Sequence, residues 1–415
     1  MRYEFRDWVS SAESPAACGP RSFYTAAFTG FHDSPPPDTF FAAQAELDAA
    51  IGIRFRTAHP TGSTPGSLAA VGPVATFAEW LGEVNVGRQH LKLLQISQLT
   101  VLAAHRRRGL MRRLMLDSLA TAKSAGVPLA GLTAAEATIY GRFGFAPATF
   151  RETVEIKTKA GRPPRCPGHI DHLDREQLPN FTGDVFRLFH DRQAGSVLRR
   201  PQAESLNTGH LSWPSLEPDK QLVAAGHWDE QGTLDGYVTY KLESGAVKIV
   251  DLIGVSEDVE NALLTFLASF DLIERIEFAH ARPDSMVRWL LDDTRRYRVK
   301  SRVDFLWLRV LDPARALAAR QYSCDDALTL RVVDPLGHAD GTWRLTAQAG
   351  VGACEPTDAR ADVELAVGAL GATLLGAVSP TALHPAGQVS GTPDAIRRLG
   401  RLLSVERQPL CLTGF

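Results

Sequence analysis

The chain has 415 residues, 44% hydrophobic and 22% charged, with a formal net charge of −2; this describes a globular protein of roughly two or three domains and argues against one that coats nucleic acid with a broad basic face. Its five cysteines (Cys18, Cys166, Cys324, Cys354, Cys411) are far apart and lack CxxC spacing, which argues against a disulfide framework or a zinc site and suits a reducing compartment. No stretch approaches the ~18 apolar residues of a membrane span, and "MRYEFRDWVSSAES" has acids where a signal peptide needs an apolar core, so a soluble cytoplasmic protein without membrane association is expected.

In chain order, "HDSPPPD" (32–38) and "HPTGSTPGS" (59–67) read as surface loops. Residues 73–102 alternate well enough for strands, with a turn near 87–89. A helix begins at about Gly109: Leu110, Met111, Leu114, Met115 and Leu119 recur at helical spacing, and "SAGVP" ends it. "LAGLTA" (129–134) has the length of a buried strand, so the local order is strand, basic turn, helix, strand. "KTKAGRPPRCPGH" (157–169) reads as a first linker. Residues 235–270 then predict two strands around a Glu-Ser-Gly turn, followed by a helix. A third segment, after "VLDPARALAARQ" (310–321), offers the strands "ALTLRVVD" and "GTWRLTAQAG". It also holds a helix, "PDAIRRLGRLLSV", with Ile396, Leu399, Leu402 and Leu403 on one face.

The basic turn "VLAAHRRRGLMRRLM" (101–115) carries Arg106, Arg107, Arg108, Arg112 and Arg113 in an otherwise nearly neutral chain. A strand that stops before a glycine turn and a helix presents unpaired backbone N–H groups at the helix start. The helix dipole adds ~0.3–1 kcal/mol for an anion there, and neighbouring arginines add charge-assisted hydrogen bonds. That arrangement suits a diphosphate better than a long polyanion. Aromatic residues do not interleave it, so no nucleic-acid partner is expected. The alternative is a solvated basic helix start paired with acids elsewhere.

Together, "LTVLAAHRRRGLMRRLM" and "LTAAEATIYGRFGF" (132–145) resemble the GCN5-related N-acetyltransferase (GNAT) superfamily, and more narrowly its enhanced-intracellular-survival (Eis) family of multi-acetylating aminoglycoside acetyltransferases. Strand–HRRRGL–helix stands at 101–110 and IYGRFG at 139–144. The "TGF" ending and the three-part layout extend the resemblance over most of the chain. Met111 departs from the wider pattern R-x-x-G-x-G/A, which has a small residue there. The resemblance implies an α/β (α+β) chain of two tandem GNAT-like domains followed by a sterol-carrier-protein-like α/β domain. Its expected parts are a catalytic domain (1–158), a degenerate GNAT-like domain (159–315) and a domain delivering the C-terminal carboxylate (316–415).

It further implies acetyl-CoA as co-substrate and no metal. Leu99, Thr100 and Val101 would hydrogen-bond the pantetheine arm along a strand edge. The pyrophosphate would lie against Arg107, Arg108, Gly109, Leu110, Met111 and Arg112, with Arg107 and Arg108 the favoured side chains, and Ala135 and Glu136 would lie at the thioester end. Acetyl transfer to an amine needs a base for the ammonium and benefits from an acid for the thiolate. Tyr140 matches the family's general acid. Because reference pKa values (Tyr ~10, thiol ~8.5) make full transfer uphill by roughly 2 kcal/mol, a strong hydrogen bond to the leaving sulfur is expected, with transfer completed late or aided by burial. The family's base is the C-terminal carboxylate, here Phe415. The plain alternatives are a packing aromatic beside Phe143 and Phe145, and a frayed chain end.

In the middle segment Glu257, Asp258 and Glu260 stand where the first has arginines; they favour the helix but repel a diphosphate, so the cofactor site there is expected to be lost. The third segment is expected to be a scaffold for Phe415, with lipid binding as the alternative. His169 and His172 in "GHIDH" lack obvious further ligands. The expected reaction is direct acetylation of a polyamine or aminoglycoside, with Asp33 and Glu136 as candidate acids for the cation. By the same resemblance a homo-oligomer, a hexamer, is expected. The alternatives are protein lysine acetylation and a non-enzymatic lipid or nucleotide binder.

Overall fold

Alternation over 73–102 produces two long antiparallel strands joined at Gly87, whose amide is held by Asn85 Oδ1 at 2.7 Å. The computed structural model describes residues 2–11, 20–62, 64–158 and 166–415. Cys18 and most of the linker expected at 157–169 lie outside the described residues. The first segment runs β1 (Tyr3–Val9), α1 (Pro20–Phe31), α2 (Asp38–Ile51), β2 (Arg54–Pro60), β3 (Ala75–Asn85), β4 (His90–Val101), α3 (Leu110–Ser124), β5 (Leu129–Thr133), α4 (Ala137–Tyr140) and β6 (Ala146–Pro147). α1 buries Phe23, Tyr24, Ala26, Ala27 and Phe28; a helix covered on most sides has no polar stripe to mark its period, and the sequence reading passes over it.

The second segment runs β7 (Phe150–Lys157), β8 (His169–His172), α5 (Thr182–Arg192), α6 (Pro201–Asn207), β9 (Val223–Trp228), β10 (Leu234–Glu243), β11 (Ala246–Gly254), α7 (Glu257–Ala268), β12 (Arg275–Ala281), α8 (Val287–Leu290), β13 (Tyr297–Asp304) and β14 (Leu306–Val310). The third runs α9 (Pro313–Ala319), β15 (Asp326–Val333), β16 (Gly341–Gln348), β17 (Val351–Pro356), β18 (Val363–Ala366), α10 (Val367–Thr373), α11 (Pro380–Leu383), β19 (Val389–Gly391) and α12 (Pro393–Leu402).

The strand orders are β1-β2-β3-β4-β5-β14-β6, β13-β7-β12-β11-β10-β9-β8 and β17-β16-β15-β18-β19. The two larger sheets exchange a strand. β7 precedes the boundary expected at 158 yet lies in the second sheet, and β14 precedes 315 yet lies antiparallel to β5 in the first. Leu306, Leu308 and Val310 are fully buried there, closing the first sheet's apolar face.

That face is continuous with the core of the third segment: Leu93, Leu129, Leu306 and Leu308 pack in one cluster with Leu328, Leu330, Leu399 and Leu402. The ridge expected on α12 is buried as its spacing predicts. A fully buried ion pair also spans the junction, Arg309 of β14 donating to Asp334 at 2.6 Å. The third unit is therefore locked onto the first rather than tethered to it. Among the described residues no helix is long and apolar enough to cross a membrane.

Candidate active site

β4 and β5 run parallel but pair over only three positions, Leu93↔Leu129, Leu94↔Ala130 and Gln95↔Gly131. Beyond Gln95 the strands part, because β4 bends at a bulge: its register with β3 shifts between Thr76 and Ala78, and Gln98 takes φ +50°. Thr76 Oγ1 holds the bulge by donating to the Gln98 carbonyl at 2.8 Å. Leu99, Thr100 and Val101 thus lie on the stretch of β4 that has turned from β5, with no partner strand on that side among the described residues. α1 presses on this stretch at Gly30, where a Cβ would fall 2.2 Å from Thr100 Oγ1.

The basic turn follows directly. Arg107 (φ +61°) and Gly109 (φ +76°) adopt left-handed conformations that reverse the chain into α3. No side chain caps α3, so its first amides, at Leu110, Met111 and Arg112, face outward without helical acceptors. A Cβ on Gly109 would meet open space. The five arginines divide by their contacts. Arg106 ties the turn down through the Val101 and Gly30 carbonyls. Arg108 donates to the Tyr3 hydroxyl at 3.1 Å and to the Ala104 carbonyl, and Arg113 pairs with Asp117 at 2.6 Å. Arg107 and Arg112 are exposed beside the free amides. Met111, the departure at the small-residue position, packs toward the core.

At the other end of the gap is a cavity of about 190 Å3 lined by Phe31, Leu99, Thr133, Ala135, Tyr140 and Phe415, among others. Tyr140 is buried on α4, its ring edge-on to Phe145. Burial, and secondly Glu136, raise its pKa above the ordinary value of 10.0, so burial favours the protonated phenol as a hydrogen-bond donor and works against its ionisation.

Phe415 is half-buried, its ring edge-on to Trp80 with centroids 6.0 Å apart. The Thr133 hydroxyl donates to its main-chain oxygen at 2.7 Å. Upstream, Leu410 N donates to the Ala194 carbonyl, and Thr413 Oγ1 to the Val197 carbonyl at 2.6 Å. The frayed end given as the alternative is not what the structure has. Thr133 and Trp80 were invisible to sequence reasoning, since their role depends on a tail that arrives from the far end of the chain.

Ala135 lines the cavity, whereas Glu136 and Asp33 are exposed and do not. Among the described residues the cavity lining includes no acidic side chain.

In the second sheet β11 and β12 repeat the parallel pairing, from Ala246↔Arg275 to Ile249↔Phe278. α7 then begins with Ser256 as its cap and Glu257, Asp258 and Glu260 in its first turn. Glu257 is itself paired with Arg282 at 2.8 Å. Leu410 and Leu412 of the tail bury against Ile253 and α5, and the space between the strands there is only about 30 Å3. His169 stacks on Trp228 and His172 packs against Phe266, so both serve the sheet edge.

Parallel strands that part after a short pairing, an uncapped helix start at one end of the gap and a buried tyrosine at the other define a GCN5-related N-acetyltransferase, with the fold present twice. Residues 72–148 and 197–310 each match the acetyltransferase (GNAT) domain, and 313–412 match the sterol carrier protein domain. An uncharacterized N-acetyltransferase of Streptomyces griseus is 33% identical over 87% of this chain and 92% of its own. The N-acetyltransferase Eis of Mycobacterium tuberculosis is 30% identical over 90% and 91%. Among solved structures, Eis1 of Mycobacterium abscessus superposes with a TM-score of 0.81 at 26% identity, each chain covered in full. A GCN5-related N-acetyltransferase of Anabaena variabilis reaches 0.81 at 16% identity, a likeness of fold. The chain belongs to the Eis family of N-acetyltransferases, and it is an enzyme of that class.

Proposed function

We propose that the enzyme acetylates amines of polycationic small molecules, aminoglycosides foremost, at more than one position. GNAT enzymes use acetyl-CoA, which supplies the acetyl group as an activated thioester. The residues present suit it: an unpartnered strand edge at Leu99, Thr100 and Val101, the amides of Leu110, Met111 and Arg112, and the exposed guanidinium groups of Arg107 and Arg112. Arg108, engaged with Tyr3 and Ala104, contributes through the turn's shape as well as its charge.

The observation that carries the reading is that Tyr140 and Phe415 line one cavity at the strand divergence. In line with the family resemblance, the C-terminal carboxylate, at Phe415, takes the proton from the incoming ammonium. A carboxylate of reference pKa ~3.3–3.7 is a weak base, so its contribution rests on being held in place, with the ring against Trp80 and an oxygen on the Thr133 hydroxyl. With no acidic side chain in the cavity lining among the described residues, that carboxylate is the anionic group a cationic amine meets there. The freed amine forms the C–N bond as the C–S bond breaks, and Tyr140 donates a hydrogen bond to the departing sulfur; the second proton lost by the nitrogen ends on that sulfur, completed late through the Tyr140 hydroxyl as general acid. The third unit serves as a scaffold delivering Phe415, a reading supported by its continuity with the first core.

Three acetyl-CoA assays, with kanamycin, with a lysine peptide and without acceptor, test this. Transfer to kanamycin of more than one acetyl per molecule is expected. Transfer to the peptide alone favours protein acetylation, and acetyl-CoA binding without transfer to either contradicts the catalytic assignment. The homo-hexamer implied by family resemblance is tested by light scattering in solution.

A further inference from the structure

At the hairpin end of β3 and β4, away from the cavity, Glu83, His90 and the α5 residue His190 converge, with one donor atom of each within 4.8 Å of the others. Glu83 Oε1 lies 3.0 Å from His90 Nδ1 and 3.4 Å from His190 Nε2. The edge of a tetrahedral site with metal–ligand bonds of ~2.0–2.1 Å is about 3.3–3.4 Å, so these separations are close to those of a ligand set. The two rings are tilted by 51° to one another, with centroids 4.7 Å apart.

His190 sets this cluster apart from an ordinary surface ion pair. Its side chain is completely buried, and its Nε2 has no hydrogen-bond partner although it points at the Glu83 carboxylate. Nδ1 lies 3.1 Å from the Ser196 hydroxyl. A proton on Nδ1 satisfies Ser196 and leaves a bare Nε2 lone pair beside an anionic oxygen. In that tautomer a bound cation bridges the Nε2 lone pair and the carboxylate, which lie 3.4 Å apart.

We propose that Glu83, His90 and His190 bind one divalent transition-metal cation of the zinc class. Two neutral imidazoles and a carboxylate suit such an ion, with water completing its coordination. The Ser196 hydroxyl is the outer partner, placed to accept from Nδ1 when Nε2 binds the ion. The frame is rigid: Asn85 Nδ2 donates to the His190 carbonyl at 2.7 Å, and the amides of Asn85 and Leu198 pair with the Ser196 and Glu83 carbonyls. Residues 194–198 also hold the C-terminal tail through the Ala194 and Val197 carbonyls. The ion therefore clips α5 and the tail's support to the first sheet.

Chelator-treated, tag-free full-length protein is titrated with zinc and followed by calorimetry and thermal unfolding, with cobalt(II) absorption as a second readout. One equivalent is expected to bind and to raise the unfolding midpoint by roughly 5 °C at saturation. His90→Ala and Glu83→Gln, which leave the buried His190 in place, are expected to lose both effects while staying folded. Absence of stoichiometric binding to the unsubstituted protein, or binding unchanged in both variants, would overturn the site and leave an ion-pair cluster.

Discussion

The Thr133 hydroxyl donates a 2.7 Å hydrogen bond to the main-chain oxygen of Phe415, 282 residues further along the chain. Thr133 is the last residue of β5, where that strand parts from β4. One hydroxyl thus joins the mouth of the gap to the end of the sequence. A hydrogen bond to a charged group contributes ~1.5–3 kcal/mol, so Thr133→Val is expected to lower kcat by about 10–100-fold and leave acetyl-CoA affinity unchanged. Thr133→Ser, which keeps the donor, should restore most of it. Equal turnover in the Val variant would mean that the terminus is held without this contact.

For Tyr140 the expected signature is in kcat and its pH dependence. Tyr140→Phe removes the donor to the leaving sulfur and should lower kcat by ~10²–10³, again with acetyl-CoA binding preserved. Because burial raises the phenol above 10.0, the unsubstituted enzyme should show no loss of rate from this group below that pH. An alkaline limb well below it that vanishes in the Phe variant would contradict the environment described.

The basic turn separates by side chain. Arg107→Ala and Arg112→Ala should each raise the KM for acetyl-CoA by about 3–10-fold, more at low salt than at high, because both groups are exposed and screened. Arg113→Ala is the control: its guanidinium is committed to Asp117, and its KM should not move. Equal effects at all three positions would indicate a diffuse field instead of a defined cradle.

A pH effect on stability arises away from the site. Asp48 is buried between Tyr24, which donates to it at 2.7 Å, and Gln44. Desolvation raises its pKa from 3.8 to about 6. Between those values the folded chain binds more protons than the unfolded one. The contribution is therefore full below about pH 4 and lost as pH rises through about 6, amounting to roughly 3 kcal/mol. Asp48→Asn should flatten the fall in melting temperature over that interval; an unchanged profile would show that Asp48 ionises normally.

Legibility in the sequence followed the range of the contacts. β3, β4, α3 and α12 have alternating or helical patterns facing a single core, and the turn at 106–109 announces itself by charge, so local reading reached them. The acidic start of α7 was equally plain, as was its conflict with a diphosphate. The exchange of β7 and β14 was not legible, because a strand such as 306–310 carries the same apolar signature in whichever sheet it joins. Arg309 in that strand reads as a surface residue until Asp334 is brought beside it. Asp33 offers itself by charge alone, and Glu136 by charge and by resemblance at the thioester end; both are exposed outside the cavity lining. Glu83, His90 and His190 lack any ligand spacing along the chain, and only the docking of α5 on the first sheet gathers them.

The central claim, that the terminal carboxylate of Phe415 is the base, is tested most directly by changing that group alone. Protein ligation can deliver the full chain with Phe415 as its C-terminal amide, which keeps the ring against Trp80 and an oxygen for Thr133 but removes the basic carboxylate. The account predicts that kcat falls by ~10²–10⁴ while the Kd for acetyl-CoA stays the same. Undiminished turnover in the amidated enzyme would contradict it.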